Sequence, residues 1–142
     1  MLINGAADGV WHLVVLIARW KGACDIAVAS GRHKAFLQDL GADEFIDYRL
    51  TAAESVSQKV DLVIDAVGGA NMERFLKFIK PGGALYLVNP LGFAGHTIAT
   101  GLGITVTSTQ VRFSGRQLCE AGHLLENGTL RIMLDSTFPL AH

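Results

Sequence analysis

Apolar and polar positions alternate along this chain in blocks, not residue by residue. A very short apolar strand, Met1 to Asn4, leads through a turn rich in Gly and Ala into a helix over about Gly9 to Lys21, which Gly22 ends. Ile26 to Ser30 reads as a second strand. His33 to Leu40 has helical spacing of Phe36, Leu37 and Leu40 before Gly41 closes it. Glu44 to Tyr48 is a short third strand and Val60 to Val67 a strongly apolar fourth. Asn71 to Ile79 reads as a helix stopped by Pro81-Gly82-Gly83. Ala84 to Asn89 and Ile104 to Thr109 are the fifth and sixth strands, and Ser114 to Asn127 is an amphipathic helix. Gly92 to Gly103 is the one long irregular connection, a loop or an inserted helix.

Strand and helix therefore alternate. Asp61-Leu-Val-Ile-Asp-Ala-Val67 and Ala84-Leu-Tyr-Leu-Val88 lack the polar alternation of a half-solvated sheet, as strands buried on both faces do. The expected fold is α/β: one doubly wound, mostly parallel Rossmann-type sheet over residues 1–142, with helices on both faces.

Composition narrows the function classes. With 142 residues, half of them hydrophobic, the chain can bury one full core. A net charge of −1, with its twelve Lys and Arg scattered, offers no footprint for nucleic acid. The apolar run Val10 to Ala18 is interrupted by His12 and is too short for a bilayer of roughly 30 Å, so no membrane span is expected. Cys24 and Cys119 lie far apart, with no second Cys or His at zinc-ligand spacing. No metal is expected, and a reducing, cytoplasmic setting fits.

Four segments together carry a family resemblance. Leu2-Ile-Asn-Gly-Ala-Ala-Asp-Gly-Val10, Leu40-Gly-Ala-Asp-Glu-Phe-Ile-Asp-Tyr48, Asp61-Leu-Val-Ile-Asp-Ala-Val-Gly-Gly69 and Ile79-Lys-Pro-Gly-Gly83 stand in the order and at about the distances of one known domain. It is the cofactor domain of zinc-independent quinone oxidoreductases, of the medium-chain dehydrogenase/reductase superfamily, and the chain resembles it over nearly its whole length. The resemblance implies hydride transfer between NADPH and a quinone, enone or other carbonyl compound, with the cofactor carrying the chemistry. It also implies an N-terminal barrel-like domain and a C-terminal return segment. Nothing in this sequence corresponds to them, so the chain is expected to be a truncated product or fragment, inactive alone, with exposed apolar ends that favour self-association.

The turn after the first strand should place backbone N–H groups and a helix N-terminus against a pyrophosphate. The family's pattern there is Ala-x-Gly-Gly-Val-Gly, whereas this chain reads Ala6-Ala7-Asp8-Gly9-Val10-Trp11 and lacks two of the three glycines. An indole at position 11 must push the helix outward or swing into the cleft. The Asp8 carboxylate either faces the pyrophosphate and repels it, or turns outward to cap the helix. A weakly binding or non-binding remnant is thus the alternative to an active cofactor domain.

No acid ends the second strand, where one would hold the ribose of NAD. Ser30, Arg32, His33 and Lys34 follow instead, a hydroxyl and cations suited to a 2′-phosphate, so NADP(H) is the expected cofactor. By resemblance, Tyr48 lines the adenosine phosphate pocket, and Val67, Gly68, Val88 and Asn89 flank the nicotinamide and its ribose. His12, His96, His123 and His142 show no ligand-set spacing, and Ser114 and Ser136 no nucleophile context. Asp25 stands where a buried strand wants an apolar residue, through relaxed selection or an edge-facing position.

Overall fold

The computed structural model describes residues 1–51, 58–69, 72–108, 110–134 and 136–140. Asn71 and Thr109, expected ends of a helix and a strand, fall outside them, as does His142. The chain forms two compact units, Met1–Arg112 and Phe113–His142.

The first unit holds β1 (Leu2–Asn4), α1 (Trp11–Trp20), β2 (Ile26–Ala29), α2 (Lys34–Leu40), β3 (Glu44–Asp47), β4 (Val60–Asp65), β5 (Ile79–Leu87), α3 (His96–Gly101) and β6 (Thr105–Ser108). The six strands form one sheet in the order β3-β2-β1-β4-β5-β6, every described pairing parallel. This is the doubly wound order, with its switch between β1 and β4.

Alternation along each strand gives the sheet two buried faces. Leu2, Val28, Val63, Leu85 and Leu87 pack in one core cluster with Met72, Phe75, Leu76 and Phe78 of a 3₁₀ helix and with Ala99 of α3. Ile3 and Ala27 point the other way, toward the face covered by α1 and α2, whose Val15, Leu16, Leu37 and Leu40 are buried. Gly41 ends α2 in the left-handed conformation, at φ 103°. The long connection Gly92 to Gly103, open between loop and inserted helix, contains the short helix α3.

Two elements differ from expectation. Residues Met72–Phe78 form a 3₁₀ helix, and β5 begins at Ile79 rather than after the Pro-Gly-Gly turn. Ile79 pairs with Val60, the register then shifts, and pairing resumes at Leu62 and Ala84. The turn is thus a bulge inside the strand. Gly82 at φ 84° gives its N–H to Gly103, and a Cβ on Gly83 would stand 2.6 Å from the Asp61 carbonyl oxygen. Only glycine fits that approach, and Pro81 has no ladder N–H to lose.

The second unit contains α4 (Gly115–Glu126), capped by Ser114, whose hydroxyl accepts the Gln117 N–H at 3.3 Å. His123 and Glu126 pair at 3.2 Å on its exposed surface. Asn127 and Gly128, the latter at φ 76°, turn the chain out of the helix. Phe113, Phe138 and Leu140 are fully or largely exposed.

Asp25 precedes β2 and is buried, 1% exposed. Its N–H donates to Asp43, but neither of its carboxylate oxygens has a partner. Burial, reinforced by the Asp43 charge, raises its pKa to about 6. An acid raised in this way keeps its proton in the folded chain after the unfolded chain has lost it. Its penalty on stability therefore develops as pH rises from about 4 through 6 and is complete above. Asp25→Val is expected to stabilise the protein by about 1–3 kcal/mol at neutral pH, measured by urea unfolding. The gain should shrink toward pH 4; a gain independent of pH would show that packing alone is responsible.

Candidate functional site

At the carboxyl edge of the sheet the loops after β1, β2, β3 and β4 converge around a cavity of about 480 Å³. The convergence begins with the strand ends. Asn4 and Asp65 are register partners on β1 and β4, and the Asn4 amide donates to Asp65 Oδ1 at 2.7 Å in a buried hydrogen bond. The same oxygen accepts the N–H groups of Val67 and Gly68 at 3.1 and 3.3 Å, which bends the chain beyond β4. A single carboxylate thus ties the two strands at the switch point and shapes the turn that follows.

Gly5 faces that turn. It has φ 83°, and a Cβ there would lie 2.8 Å from Val67 Cγ2. Its N–H and that of Ala6 both donate to the Val28 carbonyl, so the first loop is stitched to β2. Asp8 comes next, its carbonyl accepting the N–H groups of Trp11 and His12 at the start of α1. Its carboxylate accepts the N–H of Gly9.

The cavity wall contains Ala7, Asp8, Ser30, Arg32, His33, Tyr48 and Val67 of the residues expected from sequence. Ala6 is buried beneath the loop, while Gly9 and Val10 are exposed on it and do not line the cavity. Lys34, the first residue of α2, is exposed and also stands outside the lining. Gly68, Val88 and Asn89 gather at the ends of β4 and β5: a Cβ on Gly68 would meet Asn89 Cβ at 3.3 Å, and Val88 donates its N–H to Asp65.

Asp8 and Trp11 both stand in the cavity wall. Asp8 is exposed and its carboxylate accepts the Gly9 N–H, while Val10 is the N-cap of α1.

After β2, Ser30 is buried and accepts the His33 N–H through its carbonyl. Residues Gly31–His33 form a 3₁₀ turn leading into α2. Arg32 Nε donates to His33 Nε2 at 2.9 Å. Arg49 lies over the Tyr48 ring, 5.9 Å from its centroid. The sequence reading missed Gly5, Ala66 and Asp47. Gly5 and Ala66 line the cavity, and Asp47 packs its carboxylate where a Cβ on Gly31 would fall. A Gly straight after a buried strand was the available signal for Gly5; Asp47 could not be placed without the β2–β3 register.

The donor set fits a phosphorylated ligand at one end of the cavity: a guanidinium, an imidazole, a hydroxyl and a phenol. At the other end the fit is poorer, because Asp8 presents a carboxylate where the loop geometry would receive an anion. Among the described residues no three His, Cys, Asp or Glu stand together as a metal site. No helix among them is long and apolar enough to cross a membrane.

Comparison with known proteins agrees with the topology. A family model described as zinc-binding dehydrogenase matches residues 40–142. The chain belongs to this medium-chain dehydrogenase/reductase family, among its quinone oxidoreductase-like proteins. It is 31% identical to the mitochondrial NAD(P)H oxidoreductase RTN4IP1 of Mus musculus, over 99% of this chain and 42% of that protein. It is 32% identical to the 2-methylene-furan-3-one reductase of Solanum lycopersicum, over 99% of this chain and 34% of that protein. The quinone oxidoreductase of Coxiella burnetii superposes with a TM-score of 0.86 at 33% identity, covering 94% of this chain and 43% of that one. The chain spans less than half the length of these relatives.

Gly5→Ala is expected to destabilise the first unit by about 2–3 kcal/mol, from its positive φ and the clash with Val67. Adding Val67→Ala should recover about 1 kcal/mol, the steric share. Full recovery in chemical denaturation would show that the backbone conformation costs nothing.

Proposed function

We propose that this chain is the cofactor-binding part of an NADP(H)-dependent oxidoreductase that transfers hydride between NADPH and a quinone, enone or other carbonyl substrate. One observation carries the reading: Ser30, Arg32, His33 and Tyr48 line a single cavity at the switch point, and no acid ends β2. When bound, the dinucleotide supplies the hydride; the protein binds and orients it. Arg32 would grip a 2′-phosphate, with Ser30 and Tyr48 as hydroxyl partners. The Gly5–Ala7 backbone would approach the pyrophosphate. Val67, Gly68, Val88 and Asn89 would bound the nicotinamide side. In this reading both compact units belong to one cofactor domain.

Several finer points belong to the same proposal. In this reading the chain comes from a zinc-independent member of the family. Cys24 and Cys119 are free and exposed, as suits a reducing compartment such as the cytoplasm. The exposed Phe113, Phe138 and Leu140 favour self-association of the chain.

A second reading has its own observation. Asp8 stands in the cavity wall with its carboxylate on the Gly9 N–H, and Trp11 stands in the same wall. Together they favour a non-catalytic chain that binds dinucleotide weakly or not at all. Two like charges ~4 Å apart at an effective dielectric near 20 repel by about 4 kcal/mol before screening.

Fluorescence titration separates the two readings, since Trp11 sits in the cavity wall. NADPH is expected to bind at least about tenfold more tightly than NADH, and Arg32→Ala to erode that preference while leaving NADH nearly unchanged. Equal affinities in the parent chain would refute the cofactor assignment. Asp8→Gly is expected to improve NADPH binding by about 1–3 kcal/mol, and more when combined with Trp11→Gly. Tight binding by the parent with no gain in Asp8→Gly would remove the support for the second reading.

A further inference from the structure

We propose that His33 is a positioning residue for cofactor specificity: as a neutral ring it accepts the Arg32 Nε–H and so aims the guanidinium at the ligand's 2′-phosphate. The inference rests on the assignment of the cavity to NADP(H). It reverses the simplest reading of the Arg-His-Lys run, in which each residue contributes positive charge.

The geometry runs as follows. His33 is half-buried and anchored at the backbone, its N–H bonded to the Ser30 carbonyl at 2.9 Å. Its Nε2 lies 2.9 Å from Arg32 Nε, a donor at every accessible pH. Nε2 can then only accept, so the ring proton sits on Nδ1 and the imidazole is uncharged. Arg32 is exposed, and an exposed arginine loses several rotors on binding. Fixing Nε through His33 restricts those rotors beforehand and leaves both terminal nitrogens for a bidentate grip on phosphate.

The charged and titratable groups around His33 are Arg32 beside it, Lys34 at the start of α2, Asp47 against Gly31 at the end of β3, Tyr48 and Arg49 beyond it, and Asp8 across the cavity.

Substitutions separate acceptor from charge. His33→Gln keeps an acceptor and never titrates, His33→Leu removes the acceptor, and His33→Lys supplies charge without accepting. With NADPH and NADH titrated near pH 8, His33→Gln should hold NADPH affinity within about twofold. His33→Leu and His33→Lys should each lose about fivefold to tenfold for NADPH, the worth of one hydrogen bond, with NADH binding unchanged.

In the ligand-free chain, ¹⁵N NMR should find the neutral His33 ring protonated on Nδ1. The inference is overturned by a ring protonated on Nε2, by His33→Lys matching the parent near pH 8, or by NADH binding lost along with NADPH. If the parent binds neither dinucleotide, the cofactor assignment itself falls and the inference with it. If the parent prefers NADPH and His33→Leu keeps the whole of that preference, only the role of His33 falls.

Discussion

The buried hydrogen bond from Asn4 to Asp65 is the constraint on which the site depends. β1 and β4 are neighbours in the sheet although 61 positions separate these two residues, and this side-chain bond closes their carboxyl ends. Asp65 Oδ1 then collects the Val67 and Gly68 N–H groups, so the loop after β4 turns toward the loop after β1. Gly5 meets Val67 at a distance that leaves no space for a side chain. Without that closure the two loops would have no fixed relation and the cavity no wall between them. Burying a carboxylate is costly unless its hydrogen bonds are supplied; three donors serve Oδ1 here, while the buried Oδ2 has no partner among the described residues.

The cavity is built on a sound frame with conflicting contents. On the β2 and β3 side, a guanidinium, an imidazole, a hydroxyl and a phenol converge, and the chemistry is consistent with a phosphate ester. On the β1 side, the Asp8 carboxylate binds the neighbouring Gly9 N–H, one of the donors that this kind of loop offers to an anion. Trp11 stands in the same wall.

Much of the fold was legible because burial on both faces writes itself into strands such as Leu62 to Ile64 and Leu85 to Leu87, and because Gly22 and Gly41 punctuate the helices. The start of β5 was not. Its first residue pairs with Val60 before a bulge, and local sequence reads the Pro-Gly-Gly segment as a stop. At the site, residues immediately following strands were legible by position: Ala7, Asp8, Ser30, Arg32, His33, Tyr48 and Val67. The bond between Asn4 and Asp65 depends on β1 lying beside β4, and a linear pattern does not contain strand order. The same is true of Asp47, which approaches Gly31 only because β3 lies beside β2. Asp25 was recognised as out of place; that its carboxylate is buried without a partner emerges only from the packing around it.

The seam between β1 and β4 has a kinetic meaning. β1, β2 and β3 are linked by short connections, as are β4, β5 and β6, so each half of the sheet can assemble from neighbours in the chain. Joining them requires a far longer loop to close, for a central strand of three residues. The halves are candidates for separate cooperative units, with the seam as the weakest line in hydrogen exchange. Because the cavity straddles that line, a ligand bound there would act as a clasp, holding closed the very boundary along which the molecule would otherwise open.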